Sequence, residues 1–294
     1  LLTGGAVTPK RAHRFAREAR LLAKVRHPGV LSVHAFEEAS ASHPAYIVTD
    51  LVEGQPLSAL VRDAPLAAER AVELTCGIAR GLEALHELGV IHRDLKPENV
   101  IVDPEGTPVL LDFGLARELD SETRLTKTGE TLGTPAYMAP EQVDRRVGGE
   151  FDERTDVYGL GAILFDLVLG RPPFQGSMLV KVLYKVLKEP PDFAEEGDPP
   201  LDPGLQGVLA RALAKDKEAR YQSVRELREA LEAWRAGELP ADSPAQRSPG
   251  WLALGALSAL ALGLGLALWR VDSRHPAPPA EVAAASPTRS PSQP

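Results

Sequence analysis

A single cysteine, Cys76, stands in 294 residues, so no internal disulfide can form. Its place beside Val72 and Ala79 in an apolar helical pattern makes it a small core residue. Long basic runs are missing too. With 33 Lys and Arg against 41 Asp and Glu, a net charge of -8, the chain carries no electrostatic footprint for nucleic acid, and none is expected as a partner. The opening residues do not read as a secretory leader, and the sequence opens on Leu1 rather than Met. From Gly250 to Trp269 charge is absent altogether. A run of about twenty such residues, at ~1.5 Å each, covers the ~30 Å of a bilayer core, and Trp251 and Trp269 stand where interfacial aromatics sit. A single membrane span is expected there in preference to a buried soluble helix.

With 44% hydrophobic residues the chain can bury a sizeable core as one large or two smaller domains. Phe15, Ala19 and Leu22 recur at helical spacing between Lys10 and Val25. Val30 to Phe36 and Ala45 to Leu51 are short β-favouring runs. Leu66 to His86 has helical period through Val72, Ile78, Leu82 and Leu85, and Gly89 stops it. Val100 to Val102 and Val109 to Leu111 flank the turn Asp103-Pro104-Glu105-Gly106 and predict a hairpin. Asp156 opens an apolar helix running to Leu169, and a helix from Ser223 to Trp234 closes the domain.

Two strings carry the chemistry: His92-Arg93-Asp94-Leu95-Lys96-Pro97-Glu98-Asn99, and then Asp112-Phe113-Gly114. In order and spacing they resemble the catalytic loop and metal-binding turn of eukaryotic-like protein kinases, here of the bacterial serine/threonine type. Alone, an Asp or Asn in a loop is more often a turn former or cap. Phosphoryl transfer through a loose transition state needs positioning and charge neutralisation, and these residue types supply both. The resemblance implies that Asp94 orients the acceptor hydroxyl, and that Lys96 contacts the transferred phosphate. It also implies that Asn99 and Asp112 hold Mg2+, with Mn2+ as the alternative ion, between ATP and the protein. His92 is implied to be a structural residue packed beneath Phe113. Lys96 in this place points to Ser or Thr as acceptor.

The same resemblance extends outward. The string RFAREARLLAKVRHPGV is similar to the αC helix and following turn of these kinases and puts Glu18 at the αC glutamate position. Thr49 falls at the gatekeeper, Asp50 to Glu53 at the hinge with the Asp50 and Val52 backbone facing adenine, and Ile101 under the adenine ring. Gly133 to Glu141, GTPAYMAPE, resembles the end of an activation segment, with Thr134 in the substrate-binding string. Thr126, Thr128 and Thr131 are candidate phosphosites that would pair with Arg93. Asp156 is implied to hold the catalytic-loop backbone, and Arg220 to pair with Glu141, both as elements of the fold.

Two parts that the family needs are not found: a Gly-rich loop over the phosphates and a strand lysine to pair with Glu18. Lys10 stands too close to Glu18, and Val7-Thr8-Pro9 is unlike the usual strand. The expectation is an N-terminally truncated sequence; the alternative is a pseudokinase or scaffold module, if the chain is complete. A non-kinase phosphotransferase of the same fold is weaker, since such enzymes generally lack the Ala139-Pro140-Glu141 string.

The expected fold is therefore α+β, a bilobal protein-kinase-like architecture with a partial β-rich small lobe and a mostly α-helical large lobe, plus one C-terminal transmembrane helix. The expected boundaries are 1–52 for the small lobe, 53–236 for the large lobe and 237–249 for a Pro- and Ser-rich juxtamembrane linker. The span follows at 250–269, and 270–294 is a Pro/Ala/Ser-rich disordered tail. Expected partners are protein substrates with Ser or Thr acceptors, the lipid bilayer through one span, and a second copy for autophosphorylation. ATP supply puts the kinase domain in the cytoplasm and the tail outside, although Arg235 and Arg247 before the span do not outnumber Arg270, Arg274 and Arg289 after it.

Overall fold

In the computed structural model the described residues are 20–37, 46–62, 64–112 and 134–238, all within one compact unit. Among them lie two small sheets and a set of packed helices. The span expected at 250–269, the linker and the tail fall outside the described residues. No described helix is long and apolar enough to cross a membrane.

Apart from its first turn and Asp166, helix α5, Glu153–Leu169, is apolar all round, which suits a helix surrounded by protein. Every residue from Thr155 to Leu169 is buried. Asp152 caps its start by accepting from the Arg154 backbone N–H, and Gly170 ends it in the left-handed conformation (φ 71). Around this axis pack α2 (Ala68–His86), α7 (Pro203–Ala212) and α8 (Val224–Arg235). Helix α2 turns Leu74, Ile78, Leu82 and Leu85 into the core. Each such side chain contributes about 1.5–3 kcal/mol on burial. Helix α8 begins one residue after the expected boundary, because Ser223 serves as its N-cap and accepts from the Glu226 N–H.

The β structure is slight. Strands β1 (Val33–Glu37) and β2 (Tyr46–Thr49) form an antiparallel pair with an irregularity between Val33 and Ala35. Both are shorter than the apolar runs that predict them, since Leu31 instead donates to the Leu110 carbonyl beside a parallel bridge from Val30. Strand β3 (Gln55–Pro56) leads into the short helix α1 (Leu57–Leu60) and pairs with β4 (Val100–Val102). Strand β4 then pairs with β5 (Pro108–Leu110), with Val100 opposite Leu110. Their turn is closed by Asp103, whose carbonyl takes the Gly106 N–H and whose carboxylate takes the Thr107 N–H. Four-residue helices α3 (Pro140–Val143) and α4 (Arg145–Gly148) precede α5, and α6 (Leu179–Lys188) lies between α5 and α7.

Candidate active site

The segment that joins α2 to β4 holds the site. After Gly89 (φ 70) turns the chain out of α2, residues 91–96 run as an irregular loop into a 3-10 turn, Pro97–Asn99, and then into β4. The Asn99 side-chain nitrogen donates to the Asp94 carbonyl at 2.8 Å and to its carboxylate at 3.1 Å. The Lys96 ammonium lies 3.5 Å from the same carboxylate. Loop geometry thus brings Asp94, Lys96 and Asn99 onto one spot, with the Asp94 and Lys96 side chains 13% and 21% exposed. A carboxylate, a cation and an amide there can orient a hydroxyl and neutralise a phosphoryl oxygen.

Beneath the loop stands Asp156 in the first turn of α5, fully buried. One carboxylate oxygen receives the His92 N–H at 2.8 Å and faces His86 Nε2 at 2.7 Å, and the other receives the Arg93 N–H at 2.9 Å. Burial opposes charge on Asp156, but the hydrogen bond and charge of His86, with the backbone donors, outweigh it and hold its pKa low. Burial likewise works against charging His86. The hydrogen bond and charge of Asp156, with Glu153 and Glu83 adding theirs, reverse the sign and raise its pKa. His92 is pushed the other way, because complete burial lowers its pKa. Its neutral ring faces the Leu111 carbonyl through Nε2 at 3.0 Å, so Nε2 bears the proton. Gly159 completes the seat: a Cβ there would come within 2.9 Å of Leu95 Cβ, so only glycine lets the loop lie this close to α5.

Asp112 sits immediately beyond β5 with φ 52, a left-handed conformation costly for any residue with a Cβ. The Leu111 N–H donates to the Asn99 carbonyl at 2.9 Å, which joins this turn to the catalytic loop. Because Asn99 commits its amide nitrogen to Asp94, its amide oxygen is the atom it offers a cation. That oxygen and the exposed Asp112 carboxylate are hard donors that fit Mg2+, which takes its other positions from water and phosphate. Among the described residues no group of three or more His, Cys, Asp or Glu could hold a metal by itself.

On the far side of the loop, Glu141 of α3 meets Arg220 in a two-pronged pair at 2.8 and 2.9 Å, with side chains 1% and 0% exposed. Thr155 donates to the same carboxylate, while Arg220 also reaches the carbonyls of Ala214 and Arg154. Thr134 opens a 3-10 turn that runs to Tyr137, whose hydroxyl donates to Asp166 of α5 at 2.8 Å. Burial pushes the Asp166 carboxyl up to about 6 despite that hydrogen bond.

The residues expected to face a nucleotide lie apart from this network. Thr49 ends β2 and is exposed; Asp50 is exposed and faces His34, whose hydrogen bond lowers its pKa; Val52 is half-buried. Ile101 is half-buried in β4 opposite Pro56. Gly54 (φ 146) brings the chain down onto β4, where a Cβ would strike the Val102 carbonyl at 2.2 Å. Glu18, Phe113, Thr126, Thr128 and Thr131 fall outside the described residues. Sequence reasoning assigned no role to His86, Gln142, Tyr137 or Asp166. His86 was legible only as the last residue of a predicted helix, and Gln142 only as the neighbour of Glu141.

A helical lobe that presents an Asp-Lys-Asn loop beside a carboxylate turn defines a class, the kinase-type fold. The model of the protein kinase domain matches residues 5–232, and the chain belongs to that family. It is 37% identical over 229 residues to a probable serine/threonine-protein kinase of Streptomyces coelicolor, across 76% of this chain and 34% of that protein. Serine/threonine-protein kinase PknB of Mycobacterium leprae is 36% identical over 233 residues, 77% of this chain and 36% of its own length. PknA of Mycobacterium tuberculosis is 36% identical over 245 residues, 82% of this chain and 55% of its own. The chain thus spans between about a third and about half of the length of these curated relatives.

Proposed function

We propose that the protein is a serine/threonine protein kinase that transfers the γ-phosphoryl group of ATP to hydroxyls of protein substrates. The observation that carries this reading is the convergence of Asp94, Lys96 and Asn99 on one spot above the buried Asp156. Asp94 orients the acceptor hydroxyl and takes its proton as the new phosphate ester bond forms and the γ-phosphorus bond to the departing ADP breaks; Lys96, beside it, balances charge on the moving phosphoryl group. Asn99 and Asp112 hold the magnesium ion, which when bound neutralises charge on the nucleotide phosphates. The names of its relatives support Ser or Thr as the acceptor.

The apolar run at 250–269 supports a single membrane span that keeps the kinase domain on the ATP side. Phosphate on Thr126, Thr128 or Thr131, placed by a second copy of the chain, would pair with Arg93. Mass spectrometry of active protein reads that directly, and three unmodified threonines would end the idea. The central test is magnesium-dependent transfer from ATP to a Ser/Thr protein acceptor, by protein expressed from its full reading frame and by its Asp94→Asn variant. General-base loss lowers kcat about 10²–10⁴-fold. Equal transfer by both removes Asp94 from this role, and no transfer by the wild type overturns the kinase reading.

A further inference from the structure

Arg93, the residue before Asp94, has φ 65, a left-handed conformation that something must hold in place. Its N–H is held by Asp156. Its carbonyl is held by a residue from another part of the chain: Gln142 of α3 donates from Nε2 to the Arg93 oxygen at 2.6 Å. The other end of the Gln142 amide accepts the Ala139 N–H at 2.9 Å. A backbone N–H can only donate and a carbonyl can only accept, so the two partners fix which way the amide points. The peptide unit they control is the one that supplies the nitrogen of Asp94, and that N–H in turn donates to the His92 carbonyl at 2.9 Å. Gln142 also has a rigid base, since its neighbour Glu141 is locked to Arg220. Tyr137, Met138, Thr155 and Leu95 line the same small recess.

From this geometry we propose that Gln142 is a positioning residue for phosphoryl transfer. Its amide clamps the Arg93–Asp94 peptide and ties the orientation of Asp94 to the segment from Thr134 to Ala139. The role rests on the kinase reading. It requires a donor at one end of the side chain and an acceptor at the other, and the glutamine amide offers both at neutral pH without a change of ionisation.

Glutamate is therefore the informative substitution. In Gln142→Glu the ionised carboxylate still accepts from Ala139 but cannot donate to Arg93, and kcat falls about 10–100-fold, with KM for ATP changed by less than about twofold. As pH falls and the carboxyl takes up a proton it becomes a donor again, so kcat relative to the wild type climbs. Gln142→Met, which keeps the length but has neither group, loses as much and shows a ratio that does not move with pH. Wild-type kcat in Gln142→Glu at every pH, or a ratio as flat as that of Gln142→Met, overturns the proposal.

Amide hydrogen exchange reads the clamp without activity. Protection at Arg93 and Asp94, set against α5 amides in the same sample, drops in both variants at neutral pH and returns in acid only for Gln142→Glu. Should the wild type transfer no phosphate, the kinase reading fails and exchange decides alone: unchanged protection in both variants refutes the clamp.

Discussion

Two hydrogen-bonded side-chain pairs set the two sides of the molecule against each other. On the catalytic-loop side, Glu141 and Arg220 are sealed from solvent, and the Thr155 hydroxyl and the Ala214 carbonyl hydrogen-bond to the pair. On the side of β1 and β2, His34 and Asp50 meet with side chains 56% and 52% exposed. The contrast is general. All the buried polar and charged residues that the described structure contains lie between Thr75 and Arg220, and none lies in β1 or β2. A buried charge forces its surroundings into one arrangement, because any departure leaves it without a partner in a low dielectric, whereas an exposed pair exchanges its partner for water at little cost. The half that carries Asp94 is thus preorganised by burial. The strands expected to face adenine are not held in that way.

The sharpest way to break this contrast is to remove one side of the sealed pair. Arg220→Ala leaves the Glu141 carboxylate and the Thr155 hydroxyl facing a cavity, and destabilises by about 3–5 kcal/mol. Chemical denaturation, with the midpoint and slope both followed, measures it. A loss below about 1 kcal/mol means that water reaches Glu141 and that the two sides differ less than their exposures say.

How much of this was legible depended on range. The loop residues Asp94, Lys96, Asn99 and Asp112 stand in short strings whose local geometry the sequence itself dictates, through Pro97 at the 3-10 turn and the hairpin that carries Asp112. Helix α5 was readable because a long apolar segment inside the folded domain has to be surrounded by other elements. Long-range polar contacts were harder. Nothing in the pattern of α2 says that its last residue, His86, meets Asp156, nor that Gln142 reaches back to Arg93. Such contacts arise where three elements converge, and single-element periodicity carries no trace of that. The strands were overestimated for a related reason: apolar runs record burial, and part of the run at Val30 is buried by bridging to Leu110 rather than by pairing with β2.

A second test uses pH. Burial raises the Asp166 carboxyl to about 6 from its ordinary 3.8, against the Tyr137 hydrogen bond that favours the anion. The folded pKa is the higher one, so the stabilising contribution is complete below about pH 4 and disappears as pH rises through about 6. The shift corresponds to roughly 3 kcal/mol. Asp166→Asn keeps an acceptor for Tyr137 and has nothing to titrate. Its stability relative to wild type therefore rises by about that amount between pH 4 and pH 7, read from urea midpoints at each pH. A difference that stays constant across the window means that Asp166 ionises as if in water, and the buried side loses one of its defining members.

The smallest effect belongs to the other side. Val48 of β2 lies opposite Ala35 and is 44% exposed. Val48→Thr swaps a methyl for a hydroxyl of the same shape, keeps the β-branched form that suits a strand, and lets water satisfy the new group. The expected change in stability is within about 0.5 kcal/mol. The same exchange at a sealed position would cost more, as at Val157 or Val168 of α5, which are 0% and 4% exposed, because the hydroxyl would trade water for no more than the carbonyl one turn back. If Val48→Thr costs more than about 1.5 kcal/mol, the outer face of β2 is covered when the protein is folded. The two sides would then differ in what covers them, not in how firmly they are held.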